Sequence, residues 1–523
     1  MLYGVIVGFL LALACGTAVM AGLGLIFLVF RMDDSPGSLA NQLGNAALTG
    51  TIIMTGLGGF VMGFLRPFRV KPRQETHGSA RLATAAEVAP LTQWAGPLIG
   101  RDMKSGQLLR YPGTGHLLTM APTRTGKGVG TVIPNLLRLN RPIICIDPKG
   151  ENVRATAHTR RQMGPVHVLD PFGITDHADH GGAAFNPLAA LDPNDPDLVD
   201  DVAELADALV HDDQVNTADP HWNEEAKALI NGIMLYVVTA EPREHRNLAT
   251  VRDYLTRSPK EFEVLLDTMQ LSDAAGGLVR RAANRHLSKS SREAAGVLSS
   301  AMRHTYFLDS TRMTDVMSRS DFSFGDLKRG PVTVYLVLPP DRMATYARWL
   351  RLMVVQSLQA LSRGHPDDAP ALPVLYLLDE FAALGYLAPI ERAMGLMAGY
   401  GVQLWPILQD IHQLRALYGK RADTFISNAG VLQVFGVNDM ATARLVSDSI
   451  GQTTVGYTTE SKSYEAFEGM HSSRSESEHL TARPLVTPDE VRTMNGDSQF
   501  LFIAGQYPIW ARKIRYYEEA EFA

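Results

Sequence analysis

The chain has 523 residues, too many for one compact domain, so two or three are expected. Its formal net charge of −6, with 20% charged and 46% hydrophobic residues, excludes a wholly basic nucleic-acid-binding body, and any such surface must be local. Its two cysteines, Cys15 and Cys145, have neither metal nor disulfide spacing, which points to a reducing compartment for the body of the chain.

Met1–Phe30 and Ser35–Leu65 carry no charged side chain, and each is long enough to cross a bilayer. The first lacks the basic start of a cleaved signal peptide. The connector Arg31-Met-Asp-Asp-Ser-Pro-Gly is short, whereas Arg66, Arg69, Lys71 and Arg73 follow the second run. That asymmetry predicts a two-helix anchor over residues 1–70 with the remainder on the cytoplasmic side.

The next strand candidates are Leu117–Met120, Ile143–Ile146 and Val166–Leu169. Residues 190–320 show helical periodicity instead, at Leu198–Val210, Asn223–Val238, Leu248–Leu255, Pro259–Met269 and Glu293–Phe307. Strands resume at Val332–Leu338, Val374–Leu378, Gln403–Ile407, Val431–Phe435 and Phe500–Ile503. Short, continuous Val/Ile/Leu runs are strands covered on both faces, and with helices between them they predict a parallel sheet. The expected division is an α/β domain over 71–190 and 321–523, with an all-α domain inserted over 191–320. Thr453–Glu478, rich in Ser, Glu and Thr, reads as a solvated hairpin or loop.

Ala121-Pro-Thr-Arg-Thr-Gly-Lys-Gly128 stands between a strand and a helix, the setting of a phosphate loop. Thr123, Arg124, Thr125, Gly126, Lys127, Gly128 and Val129 are the predicted nucleotide-binding residues, with Lys127 meeting the β- and γ-phosphates. Ala121 replaces the usual first Gly, and Gly128 replaces the Ser/Thr that normally binds Mg²⁺. The spacing Gly126-Lys-Gly-Val-Gly130 also resembles a dinucleotide turn, but the Pro-Thr-Arg-Thr loop and the intervening Lys argue against that reading. The apolar run Val374–Leu378 ends in Asp379-Glu380, the usual partner of such a loop: Asp379 would hold Mg²⁺, through water, and Glu380 would polarise the attacking water. Gln409, just past another strand, is placed to sense a γ-phosphate. Ile146-Asp147-Pro-Lys-Gly-Glu151 reads equally well as a ligand-facing strand end or as a turn.

These stretches together resemble the TraG/TraD family of type IV secretion coupling proteins. The residues that carry the resemblance are 121–130, Ile-Pro-Asn-Leu-Leu (133–137) and Ile-Asp-Pro-Lys-Gly-Glu (146–151), then Asp-Pro-His-Trp (219–222), Leu-Leu-Asp-Glu-Phe-Ala-Ala-Leu-Gly (377–385) and Arg-Pro-Leu-Val-Thr-Pro-Asp-Glu (483–490). A Gly at position 128 is usual in that family. The resemblance implies a bacterial inner-membrane ATPase using ATP and Mg²⁺, with a RecA-like P-loop NTPase domain, an inserted all-α domain and two N-terminal transmembrane helices. It further implies a homo-hexamer that recruits relaxase-bound single-stranded DNA or effector proteins to type IV secretion channel subunits. Lys127, Asp379, Glu380 and Gln409 carry over as catalytic residues, and Arg392, Arg415, Arg421 and Arg444 are candidates for an arginine finger acting across subunits. The alternative is a double-stranded DNA translocase of the FtsK/HerA type, which would share the motor but bring a different anchor and a winged-helix tail. A scaffold that merely binds nucleotide is disfavoured by the intact Lys127, Asp379 and Glu380.

Overall fold

The computed structural model describes residues 75–176, 182–210, 220–363, 370–463 and 473–522. The chain divides into two compact units, residues 1–76 and 77–523, and every strand and helix among the described residues lies in the second. Both expected membrane spans lie outside the described residues. Among the described residues, no helix is long and apolar enough to cross a membrane.

The strands in chain order are β1 (Leu98–Asp102), β2 (Leu108–Arg110), β3 (His116–Met120), β4 (Ile143–Asp147), β5 (Val166–Leu169), β6 (Thr333–Val337), β7 (Val374–Leu378), β8 (Val402–Leu408) and β9 (Ala429–Val434). A separate antiparallel hairpin, β10 (Gln452–Ser463) with β11 (Ser473–Pro484), follows, then β12 (Ser498–Ile503) and β13 (Ile509–Arg512). Eleven of these strands form one sheet in the order β2-β1-β13-β12-β9-β3-β8-β7-β4-β6-β5. From β9 to β5 all pairings are parallel. The inner strands β3, β4, β6, β7 and β8 are buried along their whole length, because both faces are covered. Alternate residues feed two apolar layers. Leu118, Ile144, Leu336, Tyr376 and Leu404 face one, and Leu117, Cys145, Tyr335, Leu375 and Trp405 face the other.

The expected all-parallel sheet needs one correction. β12 runs antiparallel to β9, and β13, β1 and β2 extend an antiparallel edge. Chain connectivity explains the β12–β13 pairing: the turn 504–508 between them is far too short for the crossover that parallel strands require. The edge strands are short and polar, with Arg101, Arg512 and Trp510 among them, so they lack the continuous apolar signal of the interior.

The helices that frame the sheet are α1 (Ile133–Arg138) and α2 (Glu151–Met163). Between β5 and β6 come α3 (Leu198–Leu209), α4 (His221–Ala240), α5 (Leu248–Leu255), α6 (Pro259–Gln270), α7 (Ala274–Leu287), α8 (Ser291–His304) and α9 (Thr311–Val316), with α10 (Pro340–Ser362) after β6. Their starts follow local chemistry. Asn247 accepts from the Thr250 N–H, Ser290 accepts from the Glu293 N–H, and Ser258 with Glu261 forms a capping box ahead of Pro259. The sequence reading missed α7, whose first turn holds Ala275, Gly276 and Gly277 at φ 50°, 63° and 77° before the helix proper. The helical segment shares one apolar layer with the sheet: Val202 and Leu205 of α3 belong to the same cluster as Leu350 and Met353 of α10 and Leu338 after β6. Asp201 of α3 also takes hydrogen bonds from Gln359 and Arg363 at the end of α10.

Candidate nucleotide site

The order β3-β8-β7-β4 sets the carboxyl ends of four parallel strands side by side, where ligands bind in open α/β sheets. After β3 the chain runs through Ala121–Lys127 and at once into a helical turn, Gly128–Val132, continuous with α1. The Gly130 N–H donates to the Gly126 carbonyl at 2.8 Å, so the first helical bond closes around Lys127. Arg124 (φ 64°) and Gly126 (φ 98°) both take left-handed backbone conformations. Alternating handedness of this kind turns successive N–H groups to one side of a loop, the concavity that binds anions. Thr123 and Arg124 are exposed, and Thr125 to Val129 are partly buried.

The structure brings the four predicted catalytic side chains together. The Lys127 ammonium lies 3.9 Å from the Glu380 carboxylate, with 12% of its side chain exposed. Glu380 Oε1 accepts a hydrogen bond of 3.1 Å from Gln409 Nε2. The Gln409 backbone N–H in turn donates to Gln413 Oε1 at 2.9 Å, which pins the end of β8 to the helix Ile411–Tyr418. Asp379 Oδ1 accepts from the Glu380 N–H at 3.1 Å. Glu380 itself sits at φ 58°, a conformation that costs a non-glycine residue on the order of 1 kcal/mol and that clusters at functional sites.

Asp147 is the neighbour that sequence reasoning left undecided. Register pairs Ile146 of β4 with Leu378 of β7, so the next residues, Asp147 and Asp379, emerge together. Asp147 is buried, and its Oδ2 accepts from the Val153 N–H at 2.9 Å. Burial pushes both carboxyls up to about 6. The Asp379 charge adds to the rise at Asp147, while Lys127 pulls Asp379 back. Cys145 lies in the same layer, its thiol pushed well up by burial and by both carboxylates. Two adjoining acids with too little positive charge around them fit a hard divalent cation. Mg²⁺ needs only one or two carboxylates when phosphates and waters complete its shell. Among the described residues, no three His, Cys, Asp or Glu side chains gather into a metal cage, so the donor set suits such a shared site rather than an all-protein one.

Of the arginine-finger candidates, Arg421 is engaged within its own chain, 3.1 Å from Glu391 and 3.0 Å from the Tyr386 hydroxyl. Arg392 lines a cleft with Glu204 and Arg351.

A family model described as Type IV secretory system Conjugative DNA transfer matches residues 83–523. The conjugal transfer protein TraG of Escherichia coli is 29% identical over 444 residues, covering 79% of this chain and 69% of that protein. The VirD4 protein of Rhizobium rhizogenes is 28% identical over 475 residues, covering 85% of this chain and 66% of that protein. The bacterial conjugative coupling protein TrwBdeltaN70 shares the fold with a TM-score of 0.61 at 16% identity, over 85% of this chain and 95% of its own. TrwB in complex with the ATP analogue ADPNP superposes with a TM-score of 0.60 at 17% identity, over 86% of this chain and 96% of its own. With the match running unbroken through the phosphate loop, the Asp379-Glu380 strand end and the C-terminal strands, this chain belongs to the type IV secretory system conjugative DNA transfer family.

Proposed function

We propose that this chain is a membrane-anchored ATPase that recruits substrate and couples it to a type IV secretion channel. The observation that carries the reading is the meeting of Lys127, Asp379, Glu380 and Gln409 at the carboxyl ends of β3, β7 and β8 in a member of this family. TrwB, which shares the fold, binds ADPNP in one structure and ADP with Mg²⁺ in another, which supports a nucleotide in the corresponding loop.

In this reading the backbone N–H groups of Thr123–Val129 and the Lys127 ammonium hold the β- and γ-phosphates of ATP. Mg²⁺ would be held through water by Asp379 and would supply Lewis-acid stabilisation of the phosphoryl oxygens. Glu380 polarises the attacking water and takes up its proton. Gln409, bonded to Glu380, sets the orientation of that carboxylate and links it to the occupancy of the γ-phosphate position. An arginine from a neighbouring subunit of a homo-hexamer completes the charge stabilisation. Arg392, Arg415 and Arg444 are better candidates than Arg421, which already pairs with Glu391.

The membrane-spanning segments 1–70 anchor the ring in the bacterial inner membrane, residues 191–320 form its all-α domain, and the motor works on the cytoplasmic side. The cargo is relaxase-bound single-stranded DNA or an effector protein. The test is ATP turnover by the full chain in detergent micelles, without DNA, with single-stranded DNA and with duplex DNA, together with a pull-down from native membranes that identifies channel subunits and cargo. Turnover that persists in Lys127→Ala would sink the motor as assigned. Stimulation by duplex alone would favour the translocase reading.

A further inference from the structure

Behind the phosphate loop lies a residue that no sequence pattern marks. Just past β13, Lys513 Nζ donates to the Thr125 carbonyl oxygen at 2.8 Å. Lys513 is partly buried, its ammonium 5.1 Å from the centre of the Phe435 ring. Its own N–H donates to the Asp497 carbonyl at 2.8 Å, which fixes the backbone that carries it.

Thr125 is held from other sides as well. Its Oγ1 donates to the Pro122 carbonyl at 2.6 Å. Gly436, at φ 63°, leaves room for it: a Cβ there would come within 2.5 Å of Thr125 Cγ2. One helical turn further on, a Cβ on Gly130 would stand 2.9 Å from the Ile514 carbonyl oxygen, so the segment after β13 lies directly on the loop and its helix.

The peptide joining Thr125 to Gly126 is planar and trans, so its C=O and N–H point in opposite directions. An ammonium that holds the Thr125 carbonyl on one side of the peptide therefore holds the Gly126 N–H toward the other, and in a phosphate loop it is the N–H groups that receive the anion. The peptide follows Arg124 and ends on Gly126, both left-handed, a conformation that costs a non-glycine residue such as Arg124 on the order of 1 kcal/mol.

We infer that Lys513 is a positioning residue for the phosphate loop, orienting the Thr125–Gly126 peptide so that its N–H is ready for nucleotide phosphate. This rests on the reading of residues 123–129 as the nucleotide loop. Lys513 acts through the Thr125 carbonyl of the backbone, a role distinct from that of Lys127.

The experiment measures ADP·Mg²⁺ affinity by calorimetry on the full chain in detergent micelles, alongside the thermal midpoint without nucleotide. Lys513→Met is expected to raise Kd about tenfold, equivalent to about 1.4 kcal/mol. Its midpoint should stay within about 2 °C of the unmodified chain. Lys513→Arg, which keeps a cationic donor, should bind within roughly threefold of the unmodified chain. Arg515→Ala, on the same segment but bonded to Asp497 and Glu518, should leave Kd unchanged. Unaltered affinity in Lys513→Met overturns this inference alone. Equal losses in the Met and Arg variants with a lowered midpoint also overturn it, by showing a purely structural tie. Absence of ADP binding by the unmodified chain overturns the nucleotide-loop reading and this inference with it.

Discussion

At the amino ends of the parallel strands, buried polar side chains bond to backbone and to one another. At the carboxyl ends of the same strands, two buried acids stand side by side with little positive charge to offset them. His116, at the start of β3, donates from Nε2 to the Ala393 carbonyl and accepts the Leu404 N–H on Nδ1, both at 3.0 Å. Gln403, at the start of β8, donates to the Gly113 and Gly115 carbonyls and accepts from Arg141 at 2.8 Å. Arg160, fully buried, donates to Thr333 at the start of β6 and to the Arg141 carbonyl, each at 2.7 Å. Asp147 and Asp379 at the opposite ends are raised to about 6 because burial is not matched by enough positive charge. One end of the sheet ties its polar groups into a hydrogen-bond network, Arg141 Nε being the exception, and the other gathers buried carboxylates where a charged ligand would bind. Stability and function therefore respond to different mutations along a single strand.

The largest effect should come from Lys127→Ala. Removing a preorganised donor from a site of developing charge costs roughly 10²- to 10³-fold in turnover. The ion pair it makes, with Glu380 at 3.9 Å, is long, so the thermal midpoint without nucleotide should barely move. Steady-state ATPase assays and scanning calorimetry on the same preparation check both halves. A large fall in midpoint would mean that the carboxyl ends also carry the fold. Glu380→Gln should follow, at about 10²-fold in turnover, the lower range for a lost general base. Its nucleotide affinity should persist, because the glutamine amide can still meet Gln409. Loss of binding in that variant would remove Glu380 from the proton-transfer role.

Gln403→Leu probes the other end. It removes three hydrogen bonds made by a fully buried side chain and leaves two partly buried glycine carbonyls and Arg141 Nη1 short of partners. A cost of about 3 kcal/mol is expected, from groups worth about 1–3 kcal/mol each when left unsatisfied. Denaturant unfolding should show it, with turnover per folded molecule unchanged. A change in KM at a temperature where the variant is folded would mean that the two ends are coupled.

The two ends also differed in how far the sequence revealed them. The interior strands were legible because both faces are covered, which writes them as unbroken apolar runs. Their carboxyl ends were legible because Lys127, Asp379-Glu380 and Gln409 interrupt those runs with polar residues of the right chemistry. The hydrogen-bonded amino ends were not, since His116 and Gln403 look like ordinary strand residues until their partners, 277 and 290 positions away, are in place. Lys513 is hidden in the same way, 388 positions from Thr125. The edge strands β1, β2 and β13 escaped because a strand paired at a sheet's margin needs no continuous apolar run. Helix α7 escaped because its Ala-Ala-Gly-Gly start reads as a break. The two expected spans and the far side of the anchor lie outside the described residues.

The smallest predicted effect is the most direct test of the buried charge at the carboxyl ends, since it turns on the sign of a pH dependence. The Asp147 carboxyl rises from its ordinary 3.8 to about 6 in the folded chain, chiefly through burial. The fold thus prefers the protonated form. The stabilisation this confers is complete below about 3.8 and is lost as pH climbs through about 6. Asparagine is neutral throughout, and its Oδ1 can still accept the Val153 N–H that Asp147 accepts at 2.9 Å. Asp147→Asn should therefore match the unmodified chain near pH 4. At pH 8 it should exceed it by roughly 1–3 kcal/mol, at about 1.4 kcal/mol per pKa unit. Thermal midpoints across that range, without nucleotide or Mg²⁺, supply the measurement. An asparagine variant less stable at pH 8 would mean that the ionised carboxylate is already satisfied by the chain. The charge at the carboxyl ends would then be balanced within the chain, and the contrast between the two ends would fall.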